Sequence, residues 1–181
     1  MTFEQYSIIQ PKDLLDTKLG QSGDEAKRNA VNIMINTFNV FSDWVVTEIV
    51  QGETPKDRAA RLSYWIGVSK ELKALKNYDS MMAINAAMNK SSINRLAKSW
   101  EKVPPKDMRL FEEFSVFCLD CDGSFSLTNM ILQLLLHSNE NYKSLRGALK
   151  SIAPPCIPFL GMYKTDLLFI EVFFGGVMPF C

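Results

Sequence analysis

The chain has 181 residues, 47% of them hydrophobic and 22% charged, with 20 basic and 20 acidic side chains and a formal net charge of zero. That length accommodates one domain with a sizeable core, and the charge balance excludes the broad basic field that nucleic-acid binding needs. No apolar run reaches the ~20 residues of a bilayer span, none follows a basic start as in a secretory leader, and four cysteines do not make a secreted disulfide framework.

The expectation is a soluble, cytoplasmic protein with no nucleic-acid partner and no direct membrane insertion. In chain order, Gln10-Pro11-Lys12-Asp13 reads as the start of a short first helix, with Leu14 and Leu15 on its apolar side. The glycines at 20 and 23 mark a break. A long helix is predicted over 25–50, because Ala30, Met34, Phe38, Phe41, Val45 and Ile49 recur at steps of three and four. Gln51-Gly52 ends it.

Thr54-Pro55-Lys56-Asp57 opens the next helix: threonine caps, proline takes the first helical position, and an acid in the first turn suits the dipole. Its stripe is Leu62, Trp65, Ile66, Leu72 and Leu75. A methionine- and alanine-rich helix follows over 79–88, and its small residues permit close approach of a neighbour. Ser91-Ser92 starts another, carrying Ile93, Leu96 and Trp100, until Pro104-Pro105 breaks the chain. Met108, Phe111, Phe114 and Cys118 mark a further helix. Residues 119–137 begin with a glycine turn and end in an apolar run, a surplus helix packed on the outside. Ser138 or Asn139 caps the next helix, with Tyr142, Leu145, Leu149 and Ile152 inward. Three prolines among residues 154–158 forbid a helix there, so 154–166 is expected as an extended apolar turn across a helical body. There is no run of alternating strands and no internal repeat, and the class is all-α.

Chemistry-bearing residues are sparse. His137 is the one histidine, beside an apolar run and without an evident relay partner, so it reads as a surface or boundary residue. Cys118 and Cys121 form a C-x-x-C, but a structural zinc site normally shows a second close pair, and Cys156 and Cys181 lie far apart. No metal site is expected. No phosphate-binding glycine motif is present, so the chain is expected to bind no nucleotide itself and to need no cofactor. Glu112-Glu113 reads as a solvated helix face. Trp44, Trp65 and Trp100 lie on apolar faces and read as core.

Six segments carry a resemblance, the first being TFEQYSIIQPKDLL at 2–15, which is similar to an opening helix. Asn36 to Val50 (NTFNVFSDWVVTEIV) is similar to an N-x-x-x-x-W-V-x-x-E-I helix, and 57–89 to a segment written R-A-x-x-L…N-F/Y-x-S-L/M-M-A-I. NRLAKSWE at 94–101 matches R-L-x-x-S/T-W-E, SNENYKSLR stands at 138–146, and PPCIPFLGMYKTD at 154–166 resembles P-P-x-I/V-P-F/Y-L/F-G-x-Y-L-T-D. In this order they resemble the catalytic domain of the Ras-family guanine-nucleotide exchange factors. The resemblance implies an irregular, bowl-shaped multi-helix domain that grips the mobile loops of a Ras-superfamily small GTPase, of Ras, Rap or Ral type. It implies exchange without covalent chemistry: an apolar wedge on a helical hairpin opens the GTPase site and GDP leaves. The localisation implied is cytoplasmic, with membranes reached through the GTPase or through further domains.

Carried over by motif, Ile35 lines the surface at the long helix, and Met82, Ala86 and Asn89 lie on the Met/Ala helix face toward the partner. Glu140, Asn141 and Tyr142 form a polar and aromatic edge, with Phe159 behind it. Met81, Met82 and Met88 are equally readable as packing. Leu168 falls at the apolar wedge position. Val172 falls where the family carries a second glutamate, a role valine cannot fill. The expected domain is 1–171, with 119–137 as an insertion and 172–181 as a non-family tail, so the hairpin reads as truncated and exchange as impaired. Two other classes remain: a non-catalytic GTPase-binding or scaffold module, and a zinc-stabilised helical adaptor built on Cys118 and Cys121.

Overall fold

The computed structural model describes residues 3–10, 13–14, 30–119 and 142–174. Among them the regular elements are all helices: α1 (Phe3–Ser7), α2 (Ala30–Val50), α3 (Pro55–Ala74), α4 (Tyr78–Met88), α5 (Ser91–Asn94), α6 (Ala97–Trp100), α7 (Pro105–Leu119), α8 (Lys143–Ser151) and α9 (Leu160–Phe174). The all-α expectation holds for these residues. The extended pairing they contain is an isolated bridge between Asn77 and Ile157.

α4 is the centre. Every one of its residues except Ala86 is buried, and it packs on α2, α3, α5 and α7. Its start is fixed locally: the Asn77 side chain accepts the Ser80 amide at 3.1 Å. The small residues Ala83 and Ala87 let the neighbouring helices close in, and both are fully buried. The largest core joins Val45 and Ile49 of α2, Leu62, Trp65 and Ile66 of α3, Ile84 and Met88 of α4, Ile93 of α5, and Phe111 and Phe114 of α7. Trp100 stacks on Phe111 at 5.0 Å and donates its indole N–H to the Ile93 carbonyl at 3.0 Å.

The turn from α2 into α3 is written in the sequence. Thr54 accepts the Asp57 amide at 3.1 Å, and Asp57 accepts the Thr54 amide at 3.1 Å, a reciprocal capping box with proline at the helix start. Gly52 is required by close approach, since a Cβ there would meet the Arg58 side chain at 2.8 Å and its amide at 2.9 Å. Arg58 exploits that closeness, donating to the Gly52 carbonyl at 2.7 Å and to Ser99 of α6 at 3.1 Å.

Several expectations change. A helix at Phe3–Ser7 precedes Gln10; at the expected start the Asp13 carboxylate accepts the Gln10 amide at 2.8 Å and Asp13 and Leu14 are helical, while residues 11–12 and 15–29 lie outside the described residues. The single helix expected from Ser91 divides into α5 and α6 at Arg95 and Leu96. The segment 154–166 is not extended throughout: helix resumes at Leu160, two residues past the last proline, because nothing beyond Pro158 prevents it. Leu75 is 73% exposed because it caps α3 rather than continuing its stripe. Trp44 is 50% exposed, set edge-on to buried Trp65 at 5.2 Å. The surplus helix over 119–137 and the caps at Ser138 and Asn139 lie outside the described residues, save the backbone of Leu119.

Candidate functional site

The proline segment is held against the start of α4. Lys76, at φ 57°, turns the chain so that its carbonyl accepts the Ile157 amide at 2.9 Å, and Ile157 in turn accepts the Tyr78 amide at 2.9 Å. The Lys76 ammonium donates to the Ala153 carbonyl at 2.9 Å. These bonds deliver Phe159 and the first turn of α9 onto a core of Tyr78, Met81, Met82, Leu145 and Met162.

Phe159 lies between two rings, 5.7 Å from Phe38 of α2 and 5.6 Å from Tyr142, the latter edge-on. Tyr142 precedes α8 with φ 58° and ψ 39°. A non-glycine residue in the left-handed region costs on the order of 1 kcal/mol or more and marks a place where surrounding structure dictates the conformation. The Tyr142 carbonyl accepts the Arg146 amide at 2.8 Å, which opens α8.

Gly161 makes this arrangement possible. A Cβ there would lie 2.3 Å from the tip of the Phe159 ring. Gly161→Ala is therefore expected to push the ring out from between Phe38 and Tyr142 and to destabilise by about 1–3 kcal/mol. Gly147→Ala in α8 is the control: nothing lies within 4 Å of its added Cβ, so stability should rise by up to about 1 kcal/mol. Urea unfolding of both variants checks this.

Of the residues expected at a partner-facing site, Met82, Tyr142 and Phe159 share one cluster. Met82 is its buried floor, at 5% exposure, while Tyr142 and Phe159 are partly exposed at its edge. Ala86 and Asn89 continue the Met82 face at four- and seven-residue steps and are half-buried. Asn89 ends α4, its side-chain Nδ2 donating to the Asn85 carbonyl at 2.9 Å. Ile35 packs on a separate small cluster of Val31, Met34 and Leu160. Glu140 and Asn141 lie outside the described residues. Leu168 and Val172 fall on α9, with side chains outside the description.

Three features had no local signature. Phe38 completes the ring trio from a helix face whose periodicity marks it only as apolar. Asp79, 2% exposed, accepts the Leu160 amide at 3.3 Å and so joins α4 to the start of α9. Burial pushes its carboxyl up to about 6, against the lowering effect of that amide. Burial also raises the Tyr6 phenol of α1, with Tyr163 and then Asp79 adding to the effect. Third, Arg146 of α8 holds Asp166 of α9 through two contacts of 2.8 Å.

Among the described residues no cluster of histidine, cysteine, aspartate or glutamate could hold a metal ion. Cys156 is a free, half-buried thiol, and the side chains of Cys118, Cys121 and Cys181 fall outside the description. Among the described residues no helix is long and apolar enough to cross a membrane.

The chain is 38% identical over 159 residues to Ras guanine nucleotide exchange factor E of Dictyostelium discoideum, covering 84% of this chain and 14% of that protein. It is 36% identical over 134 residues to human Ras-specific guanine nucleotide-releasing factor 1, covering 74% of this chain and 9% of that protein. Ras guanine nucleotide exchange factor A of Dictyostelium discoideum matches at 32% over 169 residues, 93% of this chain and 25% of that protein. The chain thus spans a quarter or less of the length of these relatives. A family model described as the RasGEF domain matches residues 1–175, and with an all-helical body bearing the ordered motifs, this chain belongs to the RasGEF domain family.

Proposed function

We propose that this chain promotes release of GDP from a Ras-type small GTPase by stabilising the nucleotide-free form. The match to the RasGEF domain over residues 1–175 carries this reading. In it, the α4 stripe of Ala86 and Asn89 and the edge formed by Tyr142 and Phe159 dock the mobile loops of the GTPase, over the Met82 floor. Ile35, Glu140 and Asn141 extend the docking face. α9 is the first arm of the lever, with Leu168 at the wedge position.

The chain supplies binding energy and no covalent step. Exchange follows from linkage: a factor that binds the empty GTPase better than the loaded one weakens nucleotide binding by the same ratio. The work is cytoplasmic, and membranes are reached through the GTPase. Residues 119–137 interrupt the family pattern, and Val172 stands where that pattern has a glutamate, so the rate is low for the family.

Val172 also favours a second reading, a module that docks a GTPase without opening its site. Fluorescent-GDP release from Ras, Rap and Ral proteins separates the two. Accelerated release from one of them, raised further by Val172→Glu, supports exchange. Binding to a nucleotide-free GTPase with no acceleration, before and after Val172→Glu, supports the docking module.

A further inference from the structure

Among the described residues, α9 is anchored to the body along its first two turns. Its first amide is held by buried Asp79 of α4, and Leu160 and Met162 sink into the two smaller cores. One turn further on, at Asp166, the attachment passes to a different helix. A single guanidinium nitrogen of Arg146 lies 2.8 Å from both oxygens of the Asp166 carboxylate. Both side chains are about two-thirds sequestered, at 29% and 32% exposure. Ion pairs in such surroundings are screened less than surface pairs and carry more geometric information.

Arg146 has a second attachment. Its own amide donates to the carbonyl of Tyr142 at 2.8 Å, so one residue joins the aromatic edge of the site to the helix that leaves it. The edge itself is marked by the left-handed backbone at Tyr142 and by its ring contact with Phe159. The Arg146 backbone thus meets the edge at Tyr142, and its guanidinium meets α9 at Asp166.

We propose that the Arg146–Asp166 pair is a positioning strut that fixes the angle of α9 against the docking edge, so that it governs the maximal rate of nucleotide release and not GTPase docking. The inference rests on the exchange reading above. Neither residue is assigned a contact with the GTPase.

The test uses the full chain and a Ras-type GTPase loaded with fluorescent GDP, with release followed over a range of chain concentrations. Asp166→Asn and Arg146→Lys are the mild variants; lysine offers a point charge with a different geometry. Each should lower the maximal release rate, by about tenfold for Asp166→Asn, and leave the half-saturating concentration unchanged. The reversal Arg146→Asp/Asp166→Arg should recover most of the loss seen in Asp166→Arg alone, as expected of a coupled pair. Hydrogen exchange should show α9 amides losing protection in the single variants, with α3 and α7 unaffected.

Unchanged maximal rates, a loss confined to half-saturation, or unchanged α9 protection would each overturn the strut while leaving the exchange reading intact. An unaltered chain that accelerates release from no GTPase in the panel overturns the exchange reading, and with it the strut's role in release.

Discussion

Phe111→Ala is expected to remove about 3–5 kcal/mol of stability, the range for deleting a buried aromatic side chain. Phe111 is 1% exposed and stacks on Trp100 at 5.0 Å. Trp100 is in turn tied to the Ile93 carbonyl. The void cannot be filled by collapse of α7 alone, because α7 packs on α3, α4 and α8. A domain of this size is stable by about 5–15 kcal/mol in total, so the variant should sit near its unfolding threshold at 25 °C. Urea unfolding by far-UV circular dichroism reads the effect: the midpoint falls while the slope stays constant. A midpoint shift equivalent to less than about 1 kcal/mol would mean that α7 does not pack where the structure places it.

The second large effect is a pH dependence. The Asp79 carboxyl, at 3.8 in an open chain, is pushed up to about 6 by burial. A raised carboxyl means that the folded state holds its proton more tightly than the unfolded state does. Its contribution to stability is therefore greatest below pH 4 and is lost as pH rises from about 4 to about 6. The difference amounts to about 3 kcal/mol. Asp57 works in the opposite sense, since hydrogen bonds from Thr54 hold its carboxyl low.

The comparison must then be between variants rather than across the bare curve. Asp79→Asn keeps an acceptor for the Leu160 amide and cannot ionise. Its stability minus that of the unaltered chain should rise across pH 4–6 and level off above. The plateau stays below 3 kcal/mol, because Oδ2 of Asp79 has no hydrogen-bond partner among the described residues and an amide nitrogen there gains none. A flat difference from pH 3.5 to 7.5 contradicts the burial of Asp79.

The legible part of this fold was the part fixed by local chemistry. The 21-residue α2 and the 20-residue α3 announce themselves by apolar spacing, and α3 by its capping box. The core role of Trp65 followed from the α3 face, and Trp100 of α6 packs, partly buried, against the same core. Trp44 did not, because periodicity shows which face is apolar and not whether another element covers it; this ring leans on Trp65 and stays half open. The restart of helix at Leu160 was masked by the prolines just before it, whose restriction reaches only one residue back.

The site was legible as an ordered set of motifs and not as a geometry. Met82, Tyr142 and Phe159 are 60 or more residues apart at the extremes and meet through a bridge at Asn77 and Ile157 that has no signature in either segment. Asp79 is an acid in the first turn of α4, as Asp57 is in α3, and nothing local marks it as buried; its burial depends on where α9 begins. Arg146 and Asp166 were each within a quoted motif, but their contact spans 20 residues and two helices.

Whether the chain stabilises an empty GTPase is read from the nucleotide dependence of its binding. The chain, immobilised, is presented with one Ras-type GTPase in the nucleotide-free form and in the GDP-loaded form. The empty GTPase should be captured and then released on addition of excess GDP, and capture should be lost in Tyr142→Ala and Phe159→Ala variants that remain folded. Equal binding of the empty and loaded forms, with no dissociation by GDP, would contradict stabilisation of the empty form.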